Sequence, residues 1–126
     1  RNSGALAVVE GTGLHACEYM TNGVVVVLGS VSHNVGAGMT GGKLFLLAEF
    51  ERFVNGSYLK GEPLTKEEGD QLRGILSDYV ERTASEPARR VLSNWESQQQ
   101  LFRCFLPLAE AKKRAAAELE RTAARA

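Results

Sequence analysis

The sequence predicts a β-solenoid plus α fold: the end of a parallel β-helix, about three coils of about 19 residues each, followed by a helical tail. Three observations carry this. Ten of the 13 glycines lie in residues 1–60. A strand-sized apolar block recurs in that region at a fixed interval. Beyond it the apolar positions change to helical spacing, and all three prolines (Pro63, Pro87, Pro107) fall there. Charge follows the same divide, with four basic and four acidic side chains in residues 1–60 and eleven of each after them. The expected organisation is residues 1–48 as coils, 49–64 as a connector, and 65–126 as a helical C-terminal tail with a short strand near 101–106.

The repeat is visible when "EYMTNGVVVVLG" (18–29) is set above "AGMTGGKLFLLA" (37–48) at an offset of 19. Met20 meets Met39, Thr21 meets Thr40 and Gly23 meets Gly42, while Val25 to Leu28 meet Leu44 to Leu47. A further step back brings Gly4 under Gly23 and "ALAVV" under "VVVVL". Each unit therefore supplies a glycine followed by five mostly apolar residues. A period near 20 with one strand and tight turns suits stacked coils about 4.8 Å apart. Glycine serves the corners, where φ is positive or a side chain would strike the next coil. The structural glycines of this scheme are Gly4, Gly23 and Gly42 before the strands, with Gly11, Gly13, Gly36, Gly38 and Gly41 in the joining segments. A leucine-rich repeat would need its L-x-x-L-x-L signature, and hairpin arrays would need polar two-residue turns. Three coils leave an unpaired strand edge. More coils are therefore expected before Arg1, or a cap from another chain, and the start without Met reads as an internal or processed piece.

In the second half, Thr65 and Glu68 form a capping box. Leu72, Ile75, Leu76, Tyr79 and Val80 then make one apolar helical stripe. Ser85 caps a second helix that has Glu86 and Pro87 in its first turn and Ala88, Val91, Leu92 and Trp95 on its apolar side. "LFRCFL" (101–106) is strand-sized and stops at Pro107. From Leu108 the chain is alanine-rich, with Glu110, Arg114 and Glu118 at i,i+4 spacing. Such a helix docks on an absent partner or frays.

Zero net charge argues against nucleic acid or an anionic membrane as partner. No run reaches the roughly 18 apolar residues of a membrane span, and the opening "RNSGALAVVEGTG" has no apolar h-region, so no signal peptide is expected. Cys17 and Cys104 are far apart and read as free thiols in a reducing compartment. "GAGMTGG" (36–42) matches the dinucleotide spacing G-x-G-x-x-G. A dinucleotide turn needs a helix next, whereas "KLFLL" follows. Its repeat partner "EYMTNG" lacks two of the glycines. A repeat corner is the better reading. His15 and Cys17, with Glu18 beside them, lack a third ligand, and His33 falls at another repeat phase. Trp95 reads as core. Lys112, Lys113 and Arg114 read as a solvated face. No residue is assigned a catalytic, cofactor-binding or metal role.

"SGALAVVEGTGLHACEYMTNGVVVVLG" and "NVGAGMTGGKLFLL" resemble the last coils of the GXGXG β-helix domain of glutamate synthase, as found in the large subunit or the ferredoxin-dependent single chain. "EPLTKEE" and "ERTASEPARRVLSNW", then "LFRCFLP", extend the resemblance to about residue 107. Leu14 stands where that family usually has Asp, and Asn22 where it has Gly. The resemblance implies a right-handed β-helix, and a structural segment of an oxidoreductase that converts glutamine and 2-oxoglutarate into two glutamates in ammonia assimilation. It implies FMN and an iron–sulfur cluster for the whole enzyme and none for this segment. The implied partners are the amidotransferase and FMN barrel domains, on which the apolar helix stripes would dock. The implied location is the bacterial cytoplasm or the plastid stroma. The alternative is a stand-alone GXGXG assembly subunit of a multi-chain glutamate synthase or a formylmethanofuran dehydrogenase-like complex.

Overall fold

The fold is taken from a computed structural model, which describes residues 6–10, 22–29 and 35–125. Among the described residues, five strands form one sheet: β1 (Leu6–Val9), β2 (Val24–Val27), β3 (Lys43–Leu47), β4 (Leu59–Pro63) and β5 (Phe102–Pro107), in the order β1-β2-β3-β5-β4. β1, β2 and β3 run parallel, while β5 lies antiparallel to both β3 and β4. The described α-helices are α1 (Lys66–Thr83), α2 (Glu86–Ser93), the short α3 (Trp95–Gln98) and α4 (Leu108–Arg125).

The architecture is a small α/β domain with a mixed sheet, and the β-solenoid expected from the repeat is not its fold. After β3 the chain does not begin another coil. It makes a 3₁₀ turn (Ala48–Phe53) and reaches β4; β5 then inserts between β4 and β3 and closes that side of the sheet. The sequence misleads here for a physical reason. Parallel strands covered on both faces read as continuous apolar runs, in a layered α/β sheet as in a stack of coils. Register distinguishes them further. β2 and β3 pair at the repeat offset, Val24 with Lys43 and Val25 with Leu44. β1 meets β2 one residue short of that offset, Leu6 opposite Val24. A one-residue slip exchanges the faces of a strand. It puts Val8 with Val24 and Val26, and Ala7 with Val25 and Val27.

One face of the sheet carries Val26, Phe45, Phe102, Cys104 and Leu106, and the helices cover it with Leu72 and Leu76 of α1, Ala88 of α2, Trp95 of α3 and Ala111 of α4. The stripes of α1 and α2 are thus buried on this chain's own sheet, which corrects the expectation that they dock on other domains. Burying each large aliphatic or aromatic side chain there contributes about 1.5–3 kcal/mol. α1 starts where the sequence demands: Thr65 Oγ1 accepts from the Glu68 amide at 3.1 Å, and Glu68 Oε1 accepts from the Thr65 amide at 3.0 Å. It ends at Ala84, held at φ 55°. Ser85 then caps α2, its Oγ accepting from the Ala88 amide at 3.3 Å.

The opposite face holds Val25, Val27, Leu44, Leu46, Leu59 and Phe105. Among the described residues, no helix longer than the 3₁₀ turn covers it. Val35 and Met39 pack there with Phe50 and Phe53 of the 3₁₀ turn and with Val54. Val35 is stitched to the end of that turn, donating to the Phe53 carbonyl at 2.9 Å and accepting from the Asn55 amide at 2.7 Å. With both faces covered, the poor alternation of "LFRCFL" becomes intelligible: Phe102, Cys104 and Leu106 look to the helices, and Phe105 looks to the other side.

Candidate functional site

The glycine-rich stretch 36–42 folds as two bends. The Met39 amide donates to the Gly36 carbonyl at 3.0 Å, closing a β-turn whose third residue, Gly38, has φ 71°. A positive φ at that position is what a type II turn requires. Gly36, at φ 82°, lies so close to Leu59 that an added Cβ would collide with its side chain. Gly41 sits in the bend before β3, and Gly42, at φ 88°, leads into the strand. Gly23 leads into β2 in the same way, at φ 98°; its carbonyl accepts from the Lys43 amide at 3.0 Å, and its amide donates to Asn22 Oδ1 at 2.8 Å. A strand follows the glycines, so the helix that a dinucleotide turn needs directly after it is replaced by β3. Gly4, Gly11 and Gly13 lie outside the described residues, as do His15, Cys17, Glu18 and His33.

The two strand-leading bends, Asn22–Gly23 and Thr40–Gly42, border a cleft of about 1350 Å³. The first turn of α1 and the side of α4 that carries Glu110, Lys113, Arg114 and Arg121 form its other walls, with Leu106 between them. At its base lies a charged junction that sequence reasoning missed. Arg114 Nη1 donates to Glu68 Oε2 at 2.9 Å, and Lys43 Nζ stands 3.7 Å from the same oxygen. Glu68 Oε1 is the capping-box acceptor. Arg114 Nη2 reaches the Pro63 carbonyl at 3.5 Å. The Glu68 side chain is 7% exposed and that of Arg114 16%. The i,i+4 spacing suggested Glu110 and Glu118 for Arg114; instead Glu110 pairs with Lys113 at 3.8 Å. Nothing local in the sequence marks a partner 46 positions away.

Electrostatics follow from this packing. Burial pushes the Glu68 carboxyl up, but the Thr65 amide, Arg114, the Cys104 thiol and Lys43 outweigh it and hold the group below its ordinary 4.5. Burial, then the neighbouring Glu68 charge and a hydrogen bond to it, push the Cys104 thiol up to about 12. Burial lowers the pKa of Arg114, and Glu68 more than restores it. Glu68 is an occupied carboxylate and Cys104 a protonated thiol. Such groups fasten α1, α4, β3 and β5 together; they are poorly placed to act as a free base or nucleophile.

The described residues do not fit an iron–sulfur cluster. A cluster needs several thiolates. Cys104 is the only cysteine among the described residues, and it is buried beside Glu68. No group of three or more His, Cys, Asp or Glu among them could hold a metal ion. Val35 and Met39 anchor the glycine turn at 1% and 2% exposure, while Thr40, Gly41 and Gly42 line the cleft.

This is a small α/β domain in which positive-φ glycines, Gly23 and Gly42, lead into the parallel strands β2 and β3. The family model described as "GXGXG motif" matches residues 1–108, and the chain belongs to that family. It is 46% identical over 114 residues to ferredoxin-dependent glutamate synthase 1, chloroplastic/mitochondrial, of Arabidopsis thaliana, and 44% identical over 114 residues to ferredoxin-dependent glutamate synthase of Antithamnion sp.. It is 42% identical over 112 residues to the glutamate synthase (NADPH) large chain of Bacillus subtilis (strain 168). These matches cover 85–87% of this chain and 7% of each relative, so the chain spans less than a tenth of the length of the curated relatives it matches. Among the described residues, no helix is long and apolar enough to cross a membrane.

Proposed function

We propose that the chain serves as a structural segment of a glutamate synthase, the oxidoreductase that makes two glutamates from glutamine and 2-oxoglutarate. Its role is to support the amidotransferase and FMN domains without reacting itself. The observation that carries this reading is the match of most of the chain, at 42–46% identity, to 7% of each much larger synthase. The site's chemistry supports the non-catalytic part, since its densest charged junction ties four elements together and its thiol is held protonated. In this reading FMN and the iron–sulfur cluster belong to other domains, and those domains are the partners. The enzyme works in the plastid stroma or the bacterial cytoplasm.

The test is made in the full-length synthase. Gly42→Val should lower the yield of assembled enzyme and its flavin content together, with turnover per bound flavin unchanged within about twofold, because a strained φ acts on folding before chemistry. The reading fails if Glu68→Gln or Cys104→Ala leaves assembly and flavin content intact yet abolishes glutamate formation.

A further inference from the structure

α4 is 18 residues long, yet Ala111 is its only buried side chain among those described, and residues 115–121 are all exposed. Polar contacts supplement Ala111. The Leu108 amide donates to the Tyr58 carbonyl at 3.0 Å where α4 leaves Pro107. Arg114 grips Glu68 at 2.9 Å and touches the Pro63 carbonyl at 3.5 Å. α1, of equal length, instead sinks Leu72 and Leu76 completely. The alanine content of α4, with Glu110–Lys113 paired on its surface, lets it stay helical without a tertiary partner.

The junction is also asymmetric. If α4 lifts away, Glu68 keeps the Thr65 amide, Lys43 and the Cys104 thiol, while Arg114 returns to water as an ordinary cation. Neither charge is stranded, which removes the usual obstacle to opening a buried pair. α4 is also one wall of the 1350 Å³ cleft, so its departure uncovers Leu106 and the two glycine bends.

We propose that α4 is a hinged strap across this cleft, pivoting after Pro107 and latched by the Arg114–Glu68 pair, that lifts as a helix while the sheet and α1 stay folded. Hydrogen exchange read by peptide mass in the full-length protein tests it. Amides of 110–121 should exchange at least about tenfold faster than those of α1 and β5. Arg114→Met should accelerate the α4 amides by about tenfold more and leave α1 and β5 within about twofold of the parent. Arg114→Lys should recover part of the protection, and Ala111→Asp, which removes the apolar anchor, should reproduce the Met pattern. The strap is refuted if α4 and β5 exchange at one common rate in the parent protein. It is equally refuted if Arg114→Met leaves α4 unchanged, or speeds α4, α1 and β5 alike.

Discussion

Gly61 sits on β4 directly opposite Phe105 of β5, and this pair offers a quantitative test of the packing. A Cβ at Gly61 would stand 2.5 Å from Phe105 Cε2, 2.9 Å from Cζ and 3.0 Å from Cδ2. Ordinary contact requires the ring to withdraw by about 1 Å, into a core where Phe105 is 1% exposed and bounded by Leu44, Leu46 and Leu59. Overpacking of that kind costs about 1–3 kcal/mol. The smaller conformational freedom of alanine in the unfolded chain returns about 0.4–1 kcal/mol. Gly61→Ala should therefore destabilise the 126-residue chain by about 1–2 kcal/mol, read as a lower urea midpoint at unchanged slope. Phe105→Leu frees the space, so a double-mutant cycle should return a favourable coupling of at least about 0.5 kcal/mol. Gly74, in the interior of α1 with nothing within 4 Å of its would-be Cβ, is the control: Gly74→Ala should stabilise by about 1 kcal/mol. If Gly61→Ala melts at or above the parent with the same slope, the close approach of β4 to the Phe105 ring is wrong.

Three further outcomes follow from the same geometry. Gly42→Val places a β-branched residue at φ 88° and should cost about 1–3 kcal/mol in the same urea assay, whereas Gly56→Val, in open space, should change little. Glu68→Gln keeps an acceptor for the Thr65 amide but removes the charge facing Arg114 and Lys43, and should cost about 2–3 kcal/mol at pH 7, the two groups being 7% and 16% exposed. Because the Glu68 pKa is depressed by folding, its contribution is fully present above its ordinary 4.5 and is lost as pH falls through the lower folded value; stability measured from pH 7 down to pH 3 should fall less steeply in the Gln variant. Cys104, with its thiol near 12, should alkylate at pH 8 at least about a thousandfold more slowly in the folded chain than in urea, measured on the peptide that contains it.

Much of this molecule is legible in local sequence. The Thr65–Glu68 box and the Ser85 cap start α1 and α2, and the stripe residues Leu72, Leu76, Ala88 and Trp95 are the ones that reach the core. These features depend on neighbours within one or two turns, so spacing alone carries them. The repeat at offset 19 survives as the β2–β3 register. The topology did not survive, because periodicity says that strands lie side by side and says nothing about what closes the sheet. That decision belongs to β5, whose residues Phe102, Cys104 and Phe105 are buried by elements on both faces and so show no clear period of two. The Glu68–Arg114 junction was out of reach for a related reason: a single ion pair between distant positions leaves no spacing to read. The residues around His15 and Cys17 lie outside the described part of the chain.

The placement of β5 also sets the order of events on the ribosome. Leu47 of β3 waits for Phe102, about 55 residues later, before that edge of the sheet is filled. At common translation rates this is a gap of about 3–11 seconds. During it β2 and β3 can already pair, leaving the Leu44 and Leu46 side of a young strand exposed beside an open row of amides and carbonyls. Non-local closure of this kind is slow compared with helix formation, so α1 and α2 are formed before there is a finished surface for them to cover. The nascent chain is most prone to mispairing in that interval, and codon changes that lengthen the pause between 47 and 102 should lower soluble yield while leaving every residue of the product unaltered.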